Sequence, residues 1–293
     1  MKAAIYSFPN NHNQAQHIAD TLNIAYREIK VHRFPDKESL VTLPAKEHEH
    51  VIFFLSLDYP NNKLIELLFA CKTARQQGIK RISLVAPYLC YMRQDKSFHV
   101  EEAVSQRIIG QWLGELVDDL ITVDPHLHRT GSLDEVIPDT NNIVLSATQL
   151  LGDFIASLQQ KVHLLGPDDE SLQWVKQVAQ ICGASYSVAS KTRHGDTHVE
   201  VELPEFDYKD QYVILIDDVI STGNTVAQAA IKLYAAGASQ VDVLVTHALF
   251  TKEAMQTLEL AKIKNTWSSD SISHQSNQIS VTGLLAESIK TLF

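Results

Sequence analysis

Short runs of apolar residues alternate along this chain with longer stretches in which apolar residues recur at helical spacing. The apolar runs lie at 51–57, 81–86, 120–123, 162–165, 212–216 and 241–246. Between them, apolar residues recur every three or four positions in 64–77, 105–117, 171–181 and 226–236. Continuous apolar strands joined by helices are typical of βαβ units, whose parallel sheet is buried on both faces. The sequence therefore predicts an α/β fold.

A faint internal repeat indicates two similar domains in tandem. Segment 51–89 aligns without a gap with segment 210–248, and Asp58 then falls on Asp217. Few aligned residues are identical, and βαβ units of separate origin can also produce such a match. The 293 residues are enough for two domains of ordinary size.

The boundary between the two domains is expected near residue 143, because the turn-rich residues 138–142 precede it. The sequence thus predicts an N-terminal α/β domain over 1–143 and a C-terminal α/β domain over 144–283. Residues 265–278 are rich in Ser, Asn and Gln and are expected to form a loop before a last short helix over 284–292.

Charge and cysteine content exclude several classes of protein. The net charge is −10, whereas nucleic-acid binders usually carry a basic surplus, so no nucleic-acid partner is expected. The three cysteines are far apart and lack paired spacing, which favours a reducing compartment over a disulfide framework. The first residues lack the apolar core of a signal peptide, and every apolar run is too short to span a membrane. We therefore expect a soluble, cytoplasmic protein without a membrane partner.

The most informative segment is 213–225, with the sequence VILIDDVISTGNT. An apolar strand is predicted to end in Asp217 and Asp218, and a helix is predicted to follow the hydroxyl- and Gly-rich turn. In a parallel sheet this is the edge at which ligands bind, and the amides that open the helix can hold a phosphate. The two carboxylates suit sugar hydroxyls or a metal ion, so the segment predicts a site for a polyol phosphate.

This segment resembles the phosphoribosyl-pyrophosphate (PRPP) motif, which occurs in two classes of enzyme. Type I phosphoribosyltransferases consume PRPP, whereas ribose-phosphate pyrophosphokinases make it. The segment 87–95, PYLCYMRQD, resembles the Pro-Tyr-x-x-Tyr-x-Arg-Gln-Asp signature of the pyrophosphokinases, which the phosphoribosyltransferases lack. Further elements resemble the same family in the same order along the chain: 33–38, 102–105, 122–126, 166–168, 191–193 and 284–287.

The resemblance implies two tandem phosphoribosyltransferase-like (Rossmann-like) domains, each a mainly parallel sheet flanked by helices. It places ATP on the N-terminal domain, which the C-terminal helix 284–293 completes, and ribose 5-phosphate on the C-terminal domain. The implied activity is that of a ribose-phosphate diphosphokinase, which transfers the diphosphoryl group of ATP to C1 of ribose 5-phosphate. The products are PRPP, for nucleotide biosynthesis, and AMP.

The resemblance also assigns roles to individual residues. The ribose 5-phosphate site comprises Asp217, Asp218, Ser221, Thr222, Gly223, Asn224 and Thr225. The ATP site comprises Phe34, Asp36, Glu38, Arg93, Gln94 and Asp95, of which the first three come from a neighbouring subunit. The catalytic residues are Lys191 and Arg193, and His126 and Asp168 bind Mg²⁺. A homodimer or a higher homo-oligomer is therefore expected.

Two other functions remain open at this point. One is a phosphoribosyltransferase that uses PRPP, and the other is a non-catalytic partner of an active PRPP synthetase. The Asp-Thr of the classical bacterial PRPP loop is here Ser221-Thr222, which puts classical regulation by phosphate and ADP in doubt. The His126-x-His128 spacing could also suggest structural zinc, but no further ligands at suitable spacing are evident.

Overall fold

The computed structural model of this chain describes residues 2–97, 99–194 and 198–293, with the side chains of residues 192–200 excluded. The chain divides into two compact units. Unit 1 comprises 1–145 and 281–293, and unit 2 comprises 146–280. The sequence places the boundary two residues earlier, at 143, and begins the returning helix at 284.

Unit 1 is built on a six-stranded sheet in which every neighbouring pair of strands is parallel. The elements of its first segment are β1 (Ala3–Ser7), α1 (His12–Leu22), β2 (Ala25–Glu28), β3 (Lys30–Arg33), β4 (Ser39–Thr42), β5 (His50–Phe54), α2 (Pro60–Gln76), β6 (Arg81–Ala86), α3 (Ser105–Gly114), β7 (Asp119–Val123) and β8 (Asn141–Leu145). The sheet order is β2-β1-β5-β6-β7-β8, and β3 and β4 form a separate antiparallel hairpin. Strands β1, β5 and β7 are buried along their whole length, and the apolar runs at 51–57 and 120–123 predict this for β5 and β7.

Unit 2 repeats the same order of elements. They are α4 (Thr148–Ser157), β9 (His163–Gly166), α5 (Leu172–Cys182), β10 (Ser185–Val188), β11 (Ser190–His194), β12 (His198–Glu202), β13 (Tyr212–Ile220), α6 (Asn224–Ala235), β14 (Gln240–Ala248), α7 (Lys252–Leu260), β15 (Thr266–Ser269) and β16 (Asn277–Ile279). The sheet order is β10-β9-β13-β14-β15-β16, again with parallel neighbours, and β11–β12 is the antiparallel hairpin.

The matching sheets confirm the prediction of two α/β domains with parallel sheets. In each sheet the second strand in chain order, β2 or β10, lies at the edge beside the first strand, β1 or β9. The third strand, β5 or β13, pairs with the other side of the first. From β9 to β16, each element has a counterpart of the same type between β1 and β8. The internal repeat that is visible only over 51–89 in the sequence therefore extends through both units.

The prediction of one loop over 265–278 is wrong in part, because the segment contains β15 and the start of β16. Its polar residues are buried through hydrogen bonds to one another and to the neighbouring strand. Ser269 Oγ donates to the carbonyl of Thr246 at 2.6 Å, and Asn277 Nδ2 donates to the carbonyl of Ser269 at 2.6 Å. Ser268 and Ser269 are fully buried. Hydrogen bonding rather than apolar periodicity thus builds this edge of the sheet.

The chain returns to unit 1 through α8 (Thr282–Lys290), which packs on α1. Arg81 on β6 holds the end of this segment, since its Nη1 donates to the carbonyl of Leu292 at 2.8 Å. The same guanidinium forms a two-pronged ion pair with the buried Asp119 of β7, with N–O distances of 2.8 and 2.7 Å. A buried carboxylate with this many donors is strongly favoured in its ionised form.

Candidate active site

The strand order of unit 2 places a topological switch point between β9 and β13. From these two adjacent strands the chain leaves toward opposite sides of the sheet, which opens a crevice at their carboxyl ends. Asp168 lies just beyond the end of β9, and Asp217 and Asp218 lie in the last part of β13. Three carboxylates thus come together where a parallel sheet binds its ligands.

Strand β13 is longer than predicted, because it continues through both aspartates to Ile220. Its neighbour β14 is equally long and pairs with it as far as Ile220 and Ala248, whereas β9 pairs only with Val213–Leu215. The strand therefore continues two residues beyond the aspartates in which it is predicted to end. Pairing on one side keeps this part of β13 extended, and the side toward Asp168 is left without a neighbouring strand.

The turn that follows β13 is shaped to receive an anion. Gly223 has φ +74°, a left-handed conformation that favours glycine, and α6 begins at the next residue. A Cβ atom at Gly223 would lie 3.1 Å from Leu258, so the turn also packs closely against α7. As the N-cap of α6, glycine has no side chain to satisfy the first N–H groups of the helix, which leaves them available to a phosphate.

Hydroxyl and amide side chains surround this turn. Thr222 and Asn224 are exposed, and Ser221 and Thr225 are half-buried. The structure therefore brings together all the residues predicted to hold ribose 5-phosphate, on the end of one strand and the first turn of one helix.

The carboxylates of unit 2 are close enough to perturb one another. Burial raises the pKa of Asp217 well above its usual range, and the negative charges of Asp218 and Asp168 raise it further. The backbone N–H of Asp218 donates to Asp217 Oδ1 at 2.9 Å, and that of Val219 donates to Asp218 Oδ1 at 2.7 Å. Charges crowded in this way are costly unless a cation or sugar hydroxyls compensate them.

Lys191 supplies a positive charge beside this cluster. It lies on β11, and its Nζ is 3.2 Å from Asp168 Oδ2 in an ion pair whose side chains are only 20% and 15% exposed. Two residues before Asp168, a Cβ atom at Gly166 would lie 2.2 Å from Ser171 Oγ, so a larger residue there would displace the Ser171 hydroxyl. The side chain of Arg193, the other predicted catalytic residue, lies outside the described residues.

The corresponding switch point of unit 1, between β1 and β5, is closed by its own side chains. Lys63 in the first turn of α2 donates to the carbonyl of Ser56 at 2.7 Å and to Asp58 Oδ1 at 2.6 Å. Asn11 Oδ1 accepts from the backbone N–H of Ser56 at 3.3 Å. In the alignment of 51–89 with 210–248, Lys63 falls on Thr222. An ammonium group therefore occupies the region of unit 1 that corresponds to the turn 221–225 of unit 2.

Unit 1 instead places its predicted ligand groups on two neighbouring loops. Arg93, Gln94 and Asp95 follow β6, with Arg93 exposed and Asp95 in an ion pair with Arg129. His126 follows β7, and its Nδ1 is 3.0 Å from Nε2 of His128. Since β6 and β7 are adjacent and parallel, both loops lie at the same edge of the sheet.

Phe34, Asp36 and Glu38 lie on the turn of the β3–β4 hairpin. The turn is closed by hydrogen bonds from the backbone N–H of Phe34 to the carbonyl of Glu38, at 2.8 Å, and from that of Lys37 to the carbonyl of Phe34, at 2.9 Å. Phe34 is 42% exposed, which is unusual for a large apolar side chain that has an edge-on contact with His32. The β3–β4 hairpin is not part of the six-stranded sheet, so its turn does not share a sheet edge with the loops after β6 and β7.

The buried Glu66 of α2 fixes the base of this hairpin. Its Oε1 accepts hydrogen bonds from Arg33 Nε and Nη2, at 3.2 and 3.1 Å, and from Ser39 Oγ at 2.9 Å. Glu66, Arg129 and Lys63 are not among the residues that the sequence predicts to belong to a site. A charged residue within the apolar stripe of 64–77 is a visible signal for Glu66, whereas the sequence carries no comparable signal for Arg129.

Comparison with known proteins places the whole chain in one family. Residues 3–116 match the family model of the N-terminal domain of ribose phosphate pyrophosphokinase, and residues 136–286 match that of the phosphoribosyl transferase domain. The ribose-phosphate pyrophosphokinase of Methanopyrus kandleri is 31% identical, over 94% of each chain. Ribose-phosphate pyrophosphokinase 2 of Archaeoglobus fulgidus is 32% identical, over 96% of this chain and 98% of its own.

The fold has a counterpart among solved structures as well. The crystal structure of phosphoribosylpyrophosphate synthetase from Mycobacterium smegmatis superposes with a TM-score of 0.84 and 22% sequence identity, covering 100% of this chain and 99% of the other. Among the described residues, no helix is both long and apolar enough to cross a membrane. The two family models cover both units, and the relatives match this chain nearly end to end. The chain is therefore an enzyme of the ribose-phosphate pyrophosphokinase family.

Proposed function

We propose that this enzyme transfers the β,γ-diphosphoryl group of ATP to the C1 hydroxyl of ribose 5-phosphate, giving PRPP and AMP. The observation that carries the proposal is the switch point of unit 2, where Asp217 and Asp218 lie beside an uncapped helix N-terminus. Carboxylates for hydroxyl groups and amides for a phosphate are the two chemistries that a sugar phosphate requires.

Ribose 5-phosphate is proposed to bind with its phosphate on the turn 221–225 and its hydroxyls on the aspartates. The backbone N–H groups that open α6 and the hydroxyls of Ser221, Thr222 and Thr225 hold the phosphate, with Asn224 beside them. Asp217 and Asp218 accept hydrogen bonds from the ribose hydroxyls, which compensates part of their mutual repulsion.

ATP is proposed to bind to unit 1. Arg93 is exposed and carries a planar cation suited to phosphate oxygens, and Gln94 and Asp95 lie beside it on the same loop. The exposed Phe34 suits an adenine ring, with Asp36 and Glu38 on the same turn. We propose that these three residues serve ATP bound to a neighbouring subunit, so that the enzyme works as a homodimer or a higher homo-oligomer.

The residues of the chain fit a divalent metal ion, which enzymes of this family generally use. Oxygen donors are what Mg²⁺ prefers, and Asp217 has two further carboxylates close by. Burial raises the pKa of Asp217, and the charges of Asp218 and Asp168 raise it further. We propose Mg²⁺ as the ion, with Asp168 and His126 as its ligands from the protein. Bound Mg²⁺ would neutralise charge on the phosphate oxygens of ATP during transfer.

The proposed step forms one bond and breaks one bond at the β-phosphorus. O1 of ribose 5-phosphate attacks that phosphorus, the bond to the oxygen that bridges the α- and β-phosphates breaks, and AMP leaves with that oxygen. The proton of O1 is released to solvent. Lys191 and Arg193 provide positive charge for the phosphate oxygens and the departing AMP, and the protein otherwise contributes alignment and exclusion of water.

The direct test is to incubate the purified enzyme with ATP, Mg²⁺ and ribose 5-phosphate and to separate the nucleotides by anion-exchange chromatography. We expect AMP to form in proportion to the ribose 5-phosphate supplied, without any nucleobase. A nucleotide formed only from PRPP and a base would instead indicate a phosphoribosyltransferase. Failure to turn over under either condition would indicate a non-catalytic partner of another synthetase.

A further inference from the structure

The buried side chain of Gln106 connects the two loops of unit 1 that carry the proposed ligand groups. Gln106 lies in the first turn of α3 and is only 2% exposed. Its Nε2 donates to the carbonyl of Met92 at 3.0 Å, and its backbone N–H donates to the carbonyl of Gln94 at 3.1 Å. Its Oε1 accepts a hydrogen bond from Thr130 Oγ1 at 3.3 Å. One amide thus holds the loop of Arg93 and reaches the loop that follows His126.

A second connection joins the same two loops through charge. Arg129 Nη1 donates to both carboxylate oxygens of Asp95, at 2.8 and 2.9 Å. The Asp95 side chain is only 5% exposed, whereas that of Arg129 is 48% exposed. The carboxylate of Asp95 is therefore largely enclosed and already bound by a cation of its own chain. Charge-assisted hydrogen bonds of this kind are the stronger ones in proteins.

We propose that Gln106 and the Arg129–Asp95 ion pair are positioning residues. They hold the loop after β6 that carries Arg93 (the Arg93 loop) and the loop after β7 that carries His126 (the His126 loop) at a fixed separation. Asp95 then acts through Arg129 rather than as a direct ligand of the nucleotide. This inference rests on the proposed function, in which Arg93 and Gln94 hold ATP and His126 binds the metal ion that ATP shares.

The physical reason lies in how the nucleotide and the metal ion would contact each other. A metal ion that contacts a nucleotide phosphate favours binding only if the nucleotide loop and the metal loop are held at a fixed separation. A displacement of about 1 Å in such an arrangement can cost roughly 10²-fold in rate. Without the amide of Gln106, the carbonyl of Met92 also loses a buried partner, which favours rearrangement of the Arg93 loop.

The test measures how strongly Mg²⁺ enhances nucleotide binding. The affinity of α,β-methylene-ATP is determined by titration calorimetry with Mg²⁺ and with EDTA, and the ratio of the two dissociation constants is compared among variants. Gln106→Met keeps the size of the side chain and removes its hydrogen bonds. We expect its ratio to fall about tenfold, within the usual range of coupling between sites, while the affinity in EDTA stays within about twofold.

Matched variants distinguish positioning from a general loss of structure. Gln111→Met changes an exposed glutamine on the same helix and is expected to leave the ratio unchanged. Arg129→Gln breaks the second connection at a largely exposed residue, so it tests the inference even if Gln106→Met does not fold. Its ratio is expected to fall as well. Arg107→Gln changes an exposed arginine on α3 and should match the wild type.

Three outcomes would overturn the inference. The first is a ratio within twofold of the wild type in both Gln106→Met and Arg129→Gln. The second is an equal loss of affinity with Mg²⁺ and with EDTA, which would indicate a role in the structure alone. The third is a wild-type enzyme that binds no nucleotide, which would overturn the proposed function as well and is therefore distinguishable from the first two.

Discussion

Lys191 is the residue on which the proposed chemistry depends most. Its ammonium group lies beside Asp168 in a partly shielded ion pair, on a hairpin rather than on the sheet. A cation in this place can serve the phosphates during transfer, when negative charge moves onto the departing AMP. Placement on a separate hairpin allows it to act without disturbing the turn 221–225, which is proposed to hold the sugar phosphate.

We expect Lys191→Ala to lose at least 10²-fold in turnover, because one well-placed electrostatic donor contributes roughly 3–4 kcal/mol to transition-state stabilisation. Binding of ribose 5-phosphate should change little. Steady-state rates and calorimetric titration with ribose 5-phosphate measure the two effects, with Lys209→Ala as an exposed control in the same unit. Turnover close to that of the wild type would show that Lys191 has no catalytic role.

Asp217 illustrates a residue kept for function at the expense of stability. Because burial, Asp218 and Asp168 all raise its pKa, its ionised form is disfavoured in the folded protein. We expect Asp217→Asn to raise the melting temperature of the ligand-free enzyme by about 2–4 °C at neutral pH, as roughly 1 kcal/mol does in a domain of this size. Ribose 5-phosphate binding should fall sharply.

The sign of the pH dependence follows from the direction of that shift. The folded protein takes up a proton at Asp217 at a higher pH than the unfolded chain does, so the charge penalty is largest above the folded pKa. It disappears as the pH falls below the unfolded value. Thermal melts from pH 8 to pH 4 should therefore show the advantage of Asp217→Asn shrinking with acid. A variant less stable than the wild type at pH 8 would contradict this account, and Asp210→Asn provides an exposed control.

At the scale of elements, the sequence predicts the buried strands well and the edge strands poorly. Strands β5, β6 and β14 match apolar runs because they are buried on both faces. Strand β10 and the hairpin strand β3 are short and largely exposed, so neither shows a period in its sequence. Buried serines of β15 are stabilised by hydrogen bonds, which no pattern of apolar residues reveals.

The candidate site follows the same rule. Residues that follow one another along the chain, such as those of the turn 221–225, could be predicted from sequence together with their resemblance to a known motif. Partners that meet only through the fold could not. Arg129 reaches Asp95 across two loops, and Glu66 reaches Arg33 from a helix. Their pairing depends on the order of strands in the sheet, which the local sequence does not carry.

The first residue of β9 is a histidine that makes the free energy of unfolding depend on pH. His163 is buried between two hydroxyls, with Nδ1 2.8 Å from Ser185 Oγ and Nε2 2.8 Å from Ser187 Oγ, and it stacks on Phe206. Burial lowers the pKa of His163 from 6.5 to about 4. Between these values the unfolded chain binds a proton that the folded protein does not, so acid favours unfolding.

We expect the free energy of unfolding of the wild type to fall with acid more steeply than that of His163→Gln, by up to about 1.4 kcal/mol per pH unit between pH 6.5 and pH 4. Urea titrations across this range measure the difference in slope, which does not depend on how stable the variant is at pH 7. The exposed His17→Gln serves as the control. Parallel curves for the wild type and His163→Gln would show that the histidine does not titrate on unfolding.

At the scale of the whole molecule, the two units share one order of elements but carry different side chains at the switch points of their sheets. In unit 2 the switch point carries aspartates and an open phosphate turn, whereas in unit 1 Lys63 and Asp58 close it. The sugar-phosphate site is therefore proposed in unit 2, and the ligand groups proposed for unit 1 lie on its loops after β6 and β7 instead. The net charge of −10 is compatible with anionic ligands because a few cations lie where phosphates are proposed to bind.

The central claim is that two phosphoryl groups move together from ATP to C1 of ribose 5-phosphate, and ³¹P nuclear magnetic resonance of the reaction mixture tests it most directly. We predict that the three ATP signals are replaced by those of AMP and of a diphosphate ester on C1, in equal amounts. Both ester signals should derive from the β- and γ-phosphorus of ATP. Formation of ADP with ribose 1,5-bisphosphate, which carries a single phosphate on C1, or of ADP and orthophosphate, would contradict the account.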